Sequence, residues 1–127
     1  MTFDSIILTN DSINTDDMFL AKYDAAGNVL WAKSAGGIDS IETTYAVATT
    51  VTSDPLGNVL VAGWFGSGII NFGSITLTNT NADSYDMFLA KYNAFGNILW
   101  AKSAGEENDE QAFSVTTDVF GDRKSVV

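Results

Sequence analysis

The stretch Asp17-Met-Phe-Leu-Ala-Lys-Tyr-Asp-Ala-Ala-Gly-Asn-Val-Leu-Trp-Ala-Lys-Ser-Ala-Gly36 decides the fold, because it returns almost unchanged from Asp86 to Gly105. At an offset of 69 residues, seventeen of its twenty positions are identical. The correspondence extends upstream, where Phe3-Asp-Ser-Ile-Ile-Leu-Thr-Asn10 answers Phe72-Gly-Ser-Ile-Thr-Leu-Thr-Asn79. Downstream, Tyr45 to Asp54 is answered by a copy about four residues shorter, Phe113 to Asp118. A period of this kind marks a repeat architecture, in which each unit buries its apolar faces only against its neighbours.

Within the repeat a smaller mark recurs four times: Asp24-Ala-Ala-Gly27-Asn28, Asp54-Pro-Leu-Gly57-Asn58, Asn93-Ala-Phe-Gly96-Asn97 and Asp118-Val-Phe-Gly121-Asp122. The leading Asp or Asn can accept a backbone N–H. Glycine three residues later can adopt the left-handed φ that follows a type I turn. This is the chemistry of a short hairpin loop with a bulge. Strand-like runs flank each mark, and no 3.6-residue apolar stripe competes with them. One period then reads as four antiparallel strands: 46–52, 58–65, 87–93 and 97–103. A further short strand, 74–79, decorates the connection between the second and third. In 58–65 both parities are apolar, with Val59 and Val61 on one side and Leu60 and Ala62 on the other. Burial of both faces fits a propeller blade wedged between neighbours better than a half-exposed sheet. The expected fold is therefore all-β, about two four-stranded antiparallel β-propeller blades belonging to a larger propeller. A sandwich of hairpins is the alternative. The units are residues 1–37 (second half of a blade), 38–106 (a full blade) and 107–127 (the start of a third, with an off-pattern tail).

Composition narrows the function. In 127 residues there are six Lys plus Arg against sixteen Asp plus Glu, net charge −10, which disfavours nucleic acid and anionic membrane as partners. No apolar run approaches the length of a membrane span. The opening Met1-Thr2-Phe3-Asp4 carries no basic segment followed by an apolar one, so no signal peptide is read there. The chain has no cysteine and no histidine, which removes thiolate chemistry, the commonest general base and the commonest transition-metal ligand.

The pattern Asp-x-Phe-x-Ala-Lys-Tyr-x-x-x-Gly-Asn-x-x-Trp-Ala, followed by Gly-Gly, a polar acidic stretch and Val-x-x-Asp-x-x-Gly-Asn-Val-x-Val-x-Gly-x-Phe, resembles the bacterial SBBP repeat, a seven-bladed β-propeller family. The resemblance covers nearly the whole chain. It implies propeller blades in large secreted or surface-displayed bacterial proteins, and it brings no catalytic residues. The chain departs from the pattern at Gly121-Asp-Arg-Lys-Ser-Val-Val127, which sets two cations where apolar strand residues belong.

Candidate residues follow from these readings. The turn positions Asp24, Gly27, Asn28, Asp54, Gly57, Asn58, Asn93, Gly96, Asn97, Asp118 and Gly121 are structural. Trp31, Trp64, Trp100, Phe19 and Phe88 are expected to pack between blades rather than to form a sugar-stacking platform. Lys22, Lys33, Lys91 and Lys102 are read as strand residues with solvated tips. Glu106, Glu107, Asp109 and Glu110 offer hard oxygen ligands for Ca2+, but without calcium-loop spacing, and a solvated loop is the preferred reading. No other cofactor is expected. No catalytic pair of carboxylates is selected by spacing. The expected function is a non-catalytic binding or scaffold module, extracellular or on the bacterial cell surface. Its ligand would be a protein or a polysaccharide, and its other partners neighbouring blades or further copies of itself. The alternative is part of a propeller-type glycoside hydrolase or lyase using Asp and Glu as acid and base. Met1 aligns with Ile70, inside a repeat, so the chain is expected to be a stretch of a longer reading frame. It is also expected to self-associate rather than form a closed monomer.

Overall fold

A computed structural model describes residues 2–3, 5–9, 15–37, 44–66, 68–79, 85–105, 115–117 and 123–126. The chain is all-β among these. Its strands are β1 (Thr2–Phe3), β2 (Ile6–Ile7), β3 (Thr15–Asp16), β4 (Met18–Tyr23), β5 (Val29–Ala35), β6 (Thr44–Ser53), β7 (Val59–Gly66), β8 (Ile69–Phe72), β9 (Ile75–Thr78), β10 (Tyr85–Tyr92), β11 (Ile98–Ala104), β12 (Val115–Thr117) and β13 (Arg123–Val126).

The central sheet runs β11-β10-β7-β6-β3. Its four long strands form an antiparallel meander, and β3 adds a two-residue parallel pairing at the β6 edge, Thr15↔Thr44 and Asp16↔Tyr45. This meander is one complete propeller-type blade. The hairpin β4–β5 repeats the outer half of that blade: Met18↔Ala35 through Tyr23↔Val29 matches Met87↔Ala104 through Tyr92↔Ile98, with the same irregularity after the lysine. In the pair β12–β13, Thr117↔Arg123 reproduces Ser53↔Val59 at an offset of 64, whereas Val115↔Val126 is shifted by one residue from the Val51↔Val61 pairing.

The blade is apolar on both faces, as the double-parity reading of 58–65 anticipates. Val59, Val61 and Phe65 of β7 join Phe88, Ala90 and Tyr92 of β10 in one cluster, together with Met18, Leu20, Trp31 and Ala35 of the preceding hairpin. Leu60 and Ala62 point the other way and meet Leu89, with Met87 and Trp100 packed beside them. The two faces follow directly from the period-2 geometry of a strand.

The connection between β7 and β10 holds a complete hairpin, β8–β9, where the sequence reading expects one short strand over 74–79. The missed strand, Ile-Ile-Asn-Phe, is only four residues long, and Ile70 and Phe72 are fully buried. The hairpin bridges the units: Asn71 N–H donates to Gly36 O at 3.0 Å, and the Phe72 ring packs on Phe88 with centroids 5.1 Å apart.

Candidate functional site at the turn end of the blades

The three described turns share one hydrogen-bond plan. The Oδ1 atom of Asp24, Asp54 or Asn93 accepts two backbone N–H groups, from residues two and four positions on, at 2.8–3.0 Å. Gly27, Gly57 and Gly96 donate to the carbonyl of that leading residue at 3.0–3.1 Å and lie at φ of 86, 84 and 86°. At the two aspartates the Asn28 and Asn58 amides also donate to Oδ2. A carboxylate that accepts so many donors is stabilised as the anion. Hydrogen bonds from Asn28 hold Asp24 below the usual carboxylate range. Burial pushes Asp54 upward, but the Asn58 and Leu56 donors and the nearby Lys91 outweigh it and bring it below the usual range too. Asp118, Gly121 and the acidic stretch Glu106, Glu107, Asp109 and Glu110 lie outside the described residues.

Side chains from one unit close on the turns of the next. Trp31 Nε1 donates to Ala94 O at 3.0 Å, and its ring stacks on Tyr92 with centroids 5.9 Å apart and planes 27° apart. A Cβ on Gly96 would stand 2.8 Å from that indole, so glycine is required there for close approach as well as for φ. Lys22 Nζ donates to Gly57 O at 3.0 Å. Lys91 Nζ lies 3.6 Å from Asp54 Oδ2. These contacts correct the expectation of solvated tips for Lys22 and Lys91: each ammonium is drawn to a turn rich in carbonyl and carboxylate oxygens. Lys33 and Lys102 are exposed. Burial raises the Tyr92 phenol to about 12.

The other aromatic positions divide. Phe88 is fully buried, whereas its counterpart Phe19 is 48% exposed. Phe88 is covered by Phe72 and abuts Gly63 of β7, and no β7-like strand flanks β4 among the described residues. Trp64 meets Tyr85 edge-on at 4.5 Å, and Trp100 lies against the cluster on the far face.

Two recesses accompany the interface. One, about 360 Å3, is lined by Lys33, Ser34, Gly73, Tyr92, Asn97, Ile98 and their neighbours. The other, about 530 Å3, runs between residues 16–19 and 46–48. At the turn tips Leu56 is 78% exposed and Phe95 81%. The sequence reading passed over one recurrent pair: the carboxylates of Asp17 and Asp86 press against Gly36 and Gly105, where any Cβ would collide with them. The available signal was positional, an aspartate opening and a glycine closing each twenty-residue copy. Among the described residues no cluster of acids is arranged to hold a metal, and no helix is long and apolar enough to cross a membrane.

No family model matches the sequence. The chain is similar to an uncharacterized WD repeat-containing protein of Acanthamoeba polyphaga mimivirus, 29% identical over 108 residues and 82% of this chain. It is also similar to the regulatory protein FlaEY of Caulobacter vibrioides, 31% identical over 97 residues and 76% of this chain. It spans only 7% and 10% of the lengths of these two relatives. With the four-stranded meander and its repeated outer hairpin, the WD-repeat likeness defines a propeller-type repeat unit.

Proposed function

We propose that the chain is a non-catalytic binding or scaffold module of the SBBP type, which holds its hairpin turns as a rigid recognition surface. The observation that carries this reading is the turn end itself. Asp24, Asp54 and Asn93 saturate their turns with internal hydrogen bonds, Trp31 and Lys22 lock neighbouring turns together, and Leu56 and Phe95 project from the tips. Rigid loops with exposed apolar tips suit recognition of a partner surface, because little ordering entropy is lost on binding. Against the acid–base alternative, Asp24 and Asp54 spend their oxygens on turn donors. Fold by itself does not assign a function. The resemblance to SBBP repeats supports placement in a secreted or surface-displayed bacterial protein.

The test is a panel of immobilised polysaccharides and bacterial surface proteins, assayed for retention and for released reducing ends. The reading expects retention without turnover, lost in a Leu56→Ser/Phe95→Ser double variant that melts at the wild-type temperature. Turnover that survives that double substitution would move the assignment to the hydrolase class.

A further inference from the structure

The recess of about 360 Å3 lies where the first hairpin meets the complete blade, and its wall is rich in polar side chains. Lys33 and Ser34 of β5 form one side, Ser74 of the β8–β9 turn a second, and Tyr92 and Asn97 of the β10–β11 hairpin the third. Gly96 seats the lysine: a Cβ at that position would stand 3.2 Å from Lys33 Cε. The stem therefore lies over bare backbone, with its ammonium left to the recess and the solvent. Among the described residues no carboxylate pairs with Lys33, and the side chains of Ser34, Ser74 and Asn97 make no hydrogen bond.

Asn97 is available for a reason that the three turns make plain. At the first two, Asn28 and Asn58 donate Nδ2 to the Oδ2 of Asp24 and Asp54, at 3.1 and 2.9 Å. The third turn opens on Asn93 instead. Its Oδ1 already accepts the Phe95 and Asn97 N–H groups, and its other terminal atom is a donor nitrogen. That turn offers the Asn97 amide no acceptor of the kind that holds Asn28 and Asn58.

We propose that this recess is a binding site for a carboxylated sugar residue, such as a hexuronic acid unit of an acidic polysaccharide, with Lys33 on the carboxylate and Asn97, Ser34 and Ser74 on the ring hydroxyls. One ammonium answers one carboxylate, and groups that both donate and accept suit a ring of hydroxyls. The lining holds one cation and no arginine, which favours a single carboxylate over a densely charged phosphate or sulfate ester. The volume suits a small-ligand pocket rather than a protein interface. In a chain of net charge −10 the attraction for an anion is local to Lys33, so binding is weak and falls with added salt. The inference rests on the binding-module reading but not on the tips, since neither Leu56 nor Phe95 lines the recess.

The experiment follows the Asn97 side-chain amide and the Gly96 N–H by nuclear magnetic resonance on the full chain. The probes are trigalacturonate, neutral galactotriose of the same length, and a short peptide with a free C-terminal carboxylate. Trigalacturonate is expected to shift both signals saturably, and to bind at least about tenfold more tightly than either other probe. Lys33→Met, which keeps the stem, should weaken it by about tenfold. Lys102→Met, the counterpart outside the recess, should leave it unchanged. Asn93→Asp gives the Asn97 amide an acceptor, as in the first two turns, and should weaken binding by about threefold with the melting temperature retained. The Leu56→Ser/Phe95→Ser variant should bind trigalacturonate as the wild type does, so failure of the tip surface leaves this site standing. Absence of saturable shifts, equal affinity for galactotriose, tighter binding of the peptide, or indifference to both Lys33→Met and Asn93→Asp would overturn the proposal.

Discussion

Gly27 and Gly96 occupy the same place in two copies of one turn and carry nearly the same backbone, yet they do different work. Both hold φ at 86°, a conformation that disfavours any side chain with a Cβ by roughly 1–2 kcal/mol. Only Gly96 also lies beneath an indole. Ala at position 27 should therefore lower unfolding stability by about 1 kcal/mol. Ala at position 96 should lower it by a further 1–3 kcal/mol or so through overpacking. Urea titration of both variants checks this, and equal effects would mean that Trp31 does not rest on that turn.

Titration supplies a second prediction at the same scale. Asp24 and Asp54 have folded pKa values depressed below 3.8, so their stabilisation is complete above that pH and is lost as pH falls through the folded values. Tyr92 is shifted the other way, from 10.0 to about 12. Its neutral form is favoured in the folded chain, so its contribution is full below pH 10 and disappears as pH rises toward 12. Thermal melts across pH should fall at both extremes, and Tyr92→Phe should flatten the alkaline limb while leaving the acid limb unchanged.

At the scale of elements, the paired phenylalanines separate what a repeat encodes from what its surroundings complete. Phe88→Ala should cost about 3–5 kcal/mol, because the ring is fully buried against Phe72. Phe19→Ala should stay within about 0.5–1 kcal/mol, as for an exposed position. Chemical denaturation of the two variants decides it, and similar costs would show that β4 is covered in solution. The same pair marks the limit of sequence reading. The four strands of the blade were legible because the apolar runs between Asx-x-x-Gly marks are long and apolar at both parities. The difference in exposure between Phe19 and Phe88 was not legible, because identity of sequence says nothing about which neighbours cover each ring. The β8 strand was missed because Ile69–Phe72 is shorter than the alternation needed to distinguish it from a loop. The lysine contacts escaped for another reason: Lys22 and Asp54 belong to different units, and only the packing of unit on unit brings Lys22 to the Gly57 carbonyl.

For the whole molecule, the central claim is that consecutive repeats stack as propeller-type blades, with β5 of one unit lying on the β10–β11 turn of the next. Everything functional depends on that stacking: the fixed turn end and the requirement for glycine at position 96. The turn marks and the repeat offset made blades legible in the sequence, but the Trp31–Ala94 bond joins residues 63 positions apart and has no local signature. The most direct measurement is nuclear magnetic resonance on the isotopically labelled chain, observing the Trp31 indole N–H. Stacked blades predict a slowly exchanging indole proton with Overhauser contacts to Ala94, and ring protons in contact with the Gly96 α-protons. If those contacts are missing while Phe88 still reports its neighbours Gly63 and Phe72, the blade is formed but the units do not stack, and the account fails.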